Sequence, residues 1–198
     1  MDNRTIDYYN QNIDKFVSDT KDVEFTSTQD LFLSYLKEGS SILDLGCGSG
    51  RDTKCFLSKG YKVCASDGSI EICKAASAYL GIEVKHQLFN ELDDYEIYDG
   101  IWACSSILHL DRKMLVDAFR RINKALKENG ILYTSFKYSE YEGMRNGRYF
   151  IDFTTESFHV FMKDLNGFVI EKEYVSSDVR PGRSEEKWLN LIMRKVNE

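Results

Sequence analysis

Residues 41–69 read SILDLGCGSGRDTKCFLSKGYKVCASDGS, a pattern that predicts a strand, a glycine-rich turn, a helix and a second strand. The apolar run ends at Leu45, and GCGSG (46–50) leads directly into the helical pattern. Glycine tolerates positive φ in such a turn and lets a ligand approach the backbone closely. The exposed N–H groups and the positive end of the helix favour a polar or anionic ligand group. The stretch therefore predicts a ligand-binding turn between a strand and a helix.

Two acidic residues flank this turn. Asp44 lies inside the end of the first strand, where its carboxylate can accept a hydrogen bond from a ligand ammonium, directly or through water. Asp67 ends the second strand, about twenty residues after the turn, where an acidic side chain can accept both hydroxyls of a ribose. The dinucleotide fingerprint G-x-G-x-x-G would place its third glycine at position 51, but that residue is Arg51 and the third glycine is Gly50. The pattern favours a nucleoside ligand and disfavours a nicotinamide dinucleotide.

Composition limits the other functional classes. The chain has 198 residues and is 42% hydrophobic, which is enough for one core and predicts a single domain. A net charge of −6 argues against broad binding to a nucleic-acid backbone. There is no apolar run of bilayer length and no apolar signal-peptide segment, so we predict a cytoplasmic protein with no membrane association. The five cysteines form no CxxC pair, and no His and carboxylate spacing signals a metal.

The order of elements predicts a parallel α/β sheet. Strand-like runs alternate with helical patterns, and the clearest helix is predicted from Asp111 to Asn129. Residues 3–38 look helical, residues 137–153 look like a polar loop, and a helix is predicted to open at Thr154 or Thr155. The predicted strands are 41–45, 61–66, 82–87, 100–105, 130–136, 168–175 and 186–196.

These motifs resemble the class I S-adenosylmethionine-dependent methyltransferases. The resemblance rests on DLGCGSG (44–50), on Asp67, on YDGIWACSSILHL (98–110) and on KALKENGILYTSFK (124–137). The resemblance covers about residues 40–175. Within the family, the chain most resembles small bacterial methyltransferases of the tellurite-resistance type. It implies a Rossmann-like three-layer sandwich with a seven-stranded, mostly parallel sheet whose last strand is antiparallel. Residues 40–198 would form this core, and residues 1–39 a helical lid.

The resemblance also implies S-adenosyl-L-methionine as cofactor, with a specific set of binding residues. The glycine turn would line its methionine end, Asp67 its ribose, and the residues after the third and fourth strands its adenine and methyl group. The implied cofactor residues are Tyr9, Asp44, Gly46, Cys47, Gly48, Gly50, Arg51, Asp67, Gly68, Ser69, Leu88, Phe89, Cys104 and Ser105. Tyr9 enters this set because an aromatic face near the sulfonium has a cation–π rationale, whereas Phe16 is expected to close the core.

Candidate catalytic residues follow the fourth and fifth strands. His109 lies where it could touch substrate or act as a base, or simply bond a backbone group. Arg145, Arg148 and Tyr149 follow the fifth strand, and Arg180 and Arg183 lie in the last hairpin connection. Four guanidinium groups near one pocket favour a carboxylate, phosphate or oxyanion acceptor, although each could instead pair with a neighbouring acid.

The sequence leaves several functions open. A methyltransferase acting on a small, anionic molecule leads, and the acidic balance makes a nucleic-acid substrate unlikely. The alternatives are a tRNA wobble-base methyltransferase, a non-catalytic module that binds S-adenosylmethionine and regulates a partner, and an NAD-dependent oxidoreductase. The sequence does not identify a protein partner.

Overall fold

The computed structural model describes residues 3–196, which form one mostly parallel sheet, a short separate hairpin and helices on both faces of the sheet. The strands are β1 (Ser41–Leu45), β2 (Lys62–Asp67), β3 (Val84–His86), β4 (Tyr98–Ala103), β5 (Leu126–Lys137), β6 (Glu142–Arg145), β7 (Arg148–Ile151), β8 (Phe168–Ser177) and β9 (Lys187–Lys195). The helices are α1 (Asn3–Gln11), α2 (Ile13–Thr20), α3 (Thr26–Leu33), α4 (Arg51–Ser58), α5 (Ile70–Leu80), α6 (Arg112–Ala125) and α7 (Thr155–Met162).

The main sheet has seven strands in the order β3-β2-β1-β4-β5-β9-β8. The first five of these are parallel, and β9 runs antiparallel to both β5 and β8. This arrangement confirms the predicted seven-stranded, mostly parallel sheet with an antiparallel last strand. Parallel strands end at one edge of a sheet, so the residues after β1, β2, β4 and β5 meet there. Because β9 is antiparallel, its beginning joins the same edge, with Trp188 opposite Lys137.

Both faces of the sheet are buried. Along β4, Ile101 and Ala103 belong to one core cluster, and Trp102 between them belongs to the other, as the twofold side-chain period of a strand requires. Trp102 stacks on Tyr133 of β5 with ring centroids 4.0 Å apart. Helices α3 and α4 cover the Trp102 face, and α6 and α7 cover the opposite one. With both faces occupied, the open carboxyl edge is where loops build a site.

Two predicted elements differ from the structure on the carboxyl side of the chain. Helix α6 ends at Ala125 and not at Asn129, because Leu126 takes an extended conformation and pairs with Tyr98 of β4. The segment 137–153, predicted as a loop, contains the β6–β7 hairpin. Its turn is Asn146-Gly147, with φ of 51° and 78°. This dipeptide is a hairpin signal that the sequence already carried.

The amino-terminal segment 3–38 forms three helices where one helical region was predicted. A bend at Asn12 separates α1 from α2, and the chain turns again after Thr20 before α3 begins at Thr26. The division into a lid and a core stays a prediction, and its parts at residues 1–2 and 197–198 lie outside the described residues. Across residues 3–196, no helix combines the length and apolar character needed to cross a bilayer. The cytoplasmic location stays a prediction.

Candidate active site

A cavity of about 230 Å³ lies at the carboxyl edge of the sheet. Its floor comes from the residues that follow β1, β2, β4 and β5, and its walls from α1, α2 and the β8–β9 connection. Most residues predicted to bind cofactor or substrate line it: Tyr9, Gly46, Cys47, Gly48, Arg51, Asp67, Gly68, Phe89, Cys104, Ser105, His109, Arg148, Arg180 and Arg183.

The glycine turn after β1 is tightly packed at two positions. Gly46 has a φ of 81°, and a Cβ there would lie 2.5 Å from Cβ of Ser106. Gly48 has a φ of 55°, and its Cβ would lie 3.1 Å from the ring of Phe16. The backbone N–H groups of Gly46 and Cys47 both donate to the carbonyl of Ser66, at 2.8 and 2.9 Å. The turn is therefore fixed against β2 and keeps its backbone exposed to the cavity.

Asp67 joins the turn to the end of β2. Its carboxylate accepts hydrogen bonds from the backbone N–H of Gly48 at 3.1 Å and of Ser69 at 2.9 Å. Burial raises the pKa of this carboxyl to about 6, partly offset by those backbone N–H groups. The carboxylate lines the cavity beside the glycine turn. A ribose whose two hydroxyls donate to it would sit between β1 and β2.

We expect nucleoside binding to weaken in acid because of Asp67. The ionised carboxylate is the form that accepts two hydroxyls, so affinity for S-adenosylhomocysteine should be level near pH 7 to 8 and fall as pH drops through about 6. The limiting slope is about tenfold per pH unit. Calorimetric titrations from pH 5 to pH 8 test this, with Asp67→Asn as the control, which should bind weakly at every pH. A level profile for the unmodified protein would exclude Asp67 as the titrating group.

Four predicted cofactor residues lie outside the cavity lining: Asp44, Gly50, Ser69 and Leu88. Asp44 is 2% exposed and accepts the hydroxyl of Thr53 at 2.6 Å. Burial, reinforced by the nearby Asp52 carboxylate, raises the pKa of Asp44 well above its ordinary value. Ser69 caps α5 by accepting from the backbone N–H of Ile72. These residues support the turn and the helix behind the site, and they do not line the cavity themselves.

Arg51, which stands where a dinucleotide fingerprint has glycine, forms a buried cluster with Asp52. Its guanidinium donates to both carboxylate oxygens of Asp52, at 2.8 and 2.9 Å. Asp52 also accepts from Gln29 of α3 at 2.6 Å and from the Trp102 indole at 2.9 Å. The cluster ties α3 and β4 to the beginning of α4, and it leaves the Arg51 charge balanced.

His109 is fixed on both sides of its ring. Its Nδ1 lies 2.6 Å from the carbonyl of Tyr149, and its Nε2 lies 2.8 Å from the hydroxyl of Tyr9. A carbonyl only accepts, so Nδ1 carries the proton and Nε2 accepts from Tyr9. Burial lowers the pKa of His109 to about 4, and the Arg148 charge adds to this effect. His109 is therefore neutral at pH 7 and joins α1 to the β6–β7 hairpin, a placement that favours the backbone-bonding alternative over a general base.

Two predicted catalytic side chains point elsewhere. Arg145 donates to Asp152 at 2.5 Å and packs against Tyr141 and Phe150. Tyr149 donates its hydroxyl to Glu142 at 2.7 Å and serves the site only through its backbone carbonyl. Neither side chain lines the cavity, so we leave both out of the proposed catalytic set.

Sequence reasoning missed the second half of the cavity wall. Phe16, which we expected in the core, lines the cavity from α2. From the sheet, Ser135 and Lys137 come from the end of β5, and Trp188 and Asn190 from the start of β9. No local sequence motif marks these four strand residues. They reach the cavity because β9 lies antiparallel beside β5.

Comparisons with known proteins agree with this architecture. Residues 42–130 match the family model described as a methyltransferase domain. The N-terminal Xaa-Pro-Lys N-methyltransferase 1 of Rattus norvegicus is 31% identical over 124 residues, which is 56% of this chain and 56% of that protein. The matched region thus spans only about half the length of the curated relative.

Solved structures extend the likeness to almost the whole chain. The 1,6-didemethyltoxoflavin-N1-methyltransferase of Burkholderia thailandensis, solved with 1,6-didemethyltoxoflavin and S-adenosylhomocysteine, aligns with a TM-score of 0.80. That alignment has 19% identity and covers 98% of this chain and 88% of that one. A TehB-like S-adenosylmethionine-dependent methyltransferase from Corynebacterium glutamicum ATCC 13032 aligns with a TM-score of 0.68 and 16% identity, over 98% of this chain and 100% of that one.

Residues 42–130 are therefore similar to a methyltransferase domain, and the sheet order and the glycine turn tied to Asp67 give the chain the fold of the methyltransferase structures with which it aligns.

Proposed function

We propose that this protein transfers a methyl group from S-adenosylmethionine to a small, anionic acceptor. The main support for this proposal is the charge of the side chains that line the cavity. Five basic residues line it, Arg51, Lys137, Arg148, Arg180 and Arg183, against three acids, Asp52, Asp67 and Asp178. The whole chain has the opposite balance, with 26 basic and 32 acidic residues. A basic cavity in an acidic protein favours a negatively charged ligand.

Arg148 is the strongest candidate for the anion site. Among the described residues no carboxylate lies within ion-pair distance of it, whereas Arg145, Arg180 and Arg183 pair with Asp152, Asp178 and Glu186. The Nε of Arg148 is buried without a hydrogen-bond partner. Its guanidinium lies over the rings of Tyr8 and Phe150, at 4.5 and 5.2 Å, and one nitrogen donates to the Tyr9 hydroxyl at 3.3 Å. A carboxylate or similar oxyanion would supply the missing partner.

The cavity also suits the proposed cofactor. The glycine turn, which borders the cavity at Gly46 and Gly48, and the half-buried carboxylate of Asp67 beside it fit a nucleoside with its tail along the turn. When bound, S-adenosylmethionine supplies a methyl group on a positively charged sulfur. That methyl group would be open to attack by a lone pair of the acceptor, with the neutral thioether as the leaving group.

The protein's own contribution is placement and exclusion of water. Helices α1 and α2 contribute Tyr9, Phe16 and Thr20 to the cavity wall, over the glycine turn. Alignment and enclosure of two reactants account for much of a methyl-transfer rate. Because His109 is neutral and bonded at both nitrogens, we propose that it positions Tyr9 and the β6–β7 hairpin and does not act as a base towards the acceptor.

A second candidate function comes from the curated relative, whose name states that it N-methylates an N-terminal Xaa-Pro-Lys sequence. A substrate with a lysine and an amino terminus would bring positive charge into a cavity that has five basic side chains. The electrostatics disfavour that substrate. A regulatory module without turnover would bind the cofactor and methylate nothing. A nucleic-acid substrate stays disfavoured by the net charge of −6.

We predict that Arg148→Ala removes anion binding and leaves cofactor binding intact. With S-adenosylhomocysteine at saturation, benzoate affinity should fall by about tenfold or more, because a hydrogen bond to a charged group contributes about 1.5–3 kcal/mol. Arg148→Lys keeps the charge but not the guanidinium fork, and should recover part of the affinity. The measurement is calorimetric titration of benzoate.

Arg194→Ala is the matched control, since Arg194 pairs with Glu171 away from the cavity lining. It should bind benzoate as the unmodified protein does. Failure of the unmodified protein to bind benzoate, or equal binding by Arg148→Ala, would refute an anionic acceptor at this site.

A further inference from the structure

Two serines line the cavity from β4 and β5, the neighbouring strands that lie between β1 and β9 in the sheet. Ser105 follows β4, and Ser135 lies near the end of β5. Both line the cavity between the glycine turn and the basic residues of the β8–β9 connection. This is where the cofactor half of the cavity meets the half that Lys137, Trp188 and Asn190 enclose.

The backbone of Ser105 is held in an unfavourable conformation. Its φ is 53°, in the left-handed region that residues with a Cβ rarely adopt. The N–H of Ser105 donates to the hydroxyl of Ser135 at 3.0 Å, which holds this conformation in place. Strained residues fixed by their surroundings cluster at functional sites. A glycine would relax the strain, so the serine adds something that a glycine lacks, namely a hydroxyl.

The Ser105 hydroxyl can either donate a hydrogen bond to a ligand or accept one from it. The two Oγ atoms are 3.3 Å apart, and either one can be the donor. If Ser135 donates, the Ser105 proton is available to a ligand. If Ser105 donates, Ser135 accepts two hydrogen bonds and can turn its own proton towards the sulfur of Cys104, 4.0 Å away. The Ser105 oxygen can then accept from a ligand.

Cys104 does not compete for this role. Burial raises the pKa of its thiol to about 12, and the nearby Asp52 carboxylate adds to that effect. The thiol is therefore neutral and only a weak hydrogen-bond partner. Ser105 is the side chain at this spot that can bind a polar atom strongly.

We propose that the Ser105 hydroxyl binds a second polar atom of the acceptor, and that Ser135 is a positioning residue that acts through Ser105. The acceptor class is then a small anion that carries a hydroxyl or another heteroatom apart from its charged group. Arg148 binds the charged group, and Ser105 orients the heteroatom beside the cofactor half of the cavity. This inference rests on the proposed function and deepens it.

The test compares benzoate with 2-, 3- and 4-hydroxybenzoate, titrated into the protein saturated with S-adenosylhomocysteine. At least one isomer should bind about fivefold to tenfold more tightly than benzoate, the effect of one hydrogen bond. In Ser105→Gly, which keeps the backbone conformation and removes the hydroxyl, the hydroxybenzoate isomers should no longer bind more tightly than benzoate. Ser58→Ala, an exposed serine bonded to the carbonyl of Cys55, should keep the gain.

Ser135→Ala should lose part of the gain, and the double variant Ser105→Gly/Ser135→Ala should lose no more than Ser105→Gly alone. That non-additivity distinguishes action through Ser105 from a general structural role. The proposal is overturned if no isomer gains over benzoate, if Ser105→Gly retains the gain, or if the two serine effects add. Benzoate binding that requires Arg148, together with a hydroxybenzoate gain that is absent or does not depend on Ser105, would sink this inference alone, whereas absence of Arg148-dependent benzoate binding would sink the proposed function.

Discussion

Asp67→Ala should lower the affinity for S-adenosylhomocysteine by about 100-fold or more. The variant removes the proposed acceptor for two ribose hydroxyls, and hydrogen bonds to a charged group contribute about 1.5–3 kcal/mol each. It also releases the backbone N–H groups of Gly48 and Ser69, which shape the turn beneath the cofactor. Calorimetric titration measures the loss directly.

Asp99→Ala is the matched control for Asp67→Ala. Asp99 also accepts a backbone N–H, from Ser41 at 2.8 Å, and pairs with Lys127 at 2.9 Å. It lies at the beginning of β4, away from the cavity lining. Its removal should lower thermal stability and leave cofactor affinity within about twofold, since lost ion pairs at such half-exposed positions contribute about 1 kcal/mol. Equal loss of affinity in both variants would mean that Asp67 acts through stability and does not bind ribose.

Gly46→Ala should destabilise the protein and prevent cofactor binding. The new Cβ would lie 2.5 Å from Cβ of Ser106, so the turn must move away from the segment that follows β4. Gly60→Ala provides the comparison, because Gly60 has nearly the same φ, 84°, and nothing within 4 Å of its Cβ. Both variants carry the cost of positive φ, about 1–2 kcal/mol, and Gly46→Ala adds about 1–3 kcal/mol for overpacking.

The difference between these glycine variants isolates the steric contact. For a chain of this size each kcal/mol lowers Tm by about 2–4 °C, so Gly46→Ala should melt several degrees below Gly60→Ala. Gly60→Ala should bind S-adenosylhomocysteine normally. The double variant Gly46→Ala/Ser106→Gly removes the contacting Cβ and should regain part of the lost Tm. Equal melting temperatures for the two alanine variants would contradict the steric account of the turn.

The cofactor half of the site was accessible from sequence because its signals are local. Three glycines after a strand, and an acid at the end of the next strand, lie within one continuous stretch, 41–69. Their chemistry is also specific, since positive φ at Gly46 and Gly48 is a backbone requirement that sequence shows directly. Gly50 fits the same pattern but faces Leu80 instead of the cavity, which spacing alone does not reveal.

The part of the cavity proposed to bind the acceptor could be predicted from the sequence only in part, because its remaining contacts depend on tertiary structure. Arg145 and Arg148 are three residues apart, yet one pairs with Asp152 and the other has no carboxylate partner among the described residues. Hairpin register decides this, with Arg145 directly opposite Arg148 in the β6–β7 pair. Ser135 reaches the cavity through the strand order, and Tyr9 of α1 reaches the second nitrogen of His109, a contact that disfavours a role as a base. No local pattern carries those contacts.

The most direct test of the account is methyl transfer itself. The purified protein is incubated with S-adenosylmethionine carrying a labelled methyl group, in parallel with a panel of hydroxybenzoates and with a peptide that begins Xaa-Pro-Lys, and the products are identified by mass spectrometry. We expect a methylated product from at least one of the anions, loss of that product in Arg148→Ala, and no methylated peptide. Methylation of the peptide amino terminus with no product from the anions would contradict it.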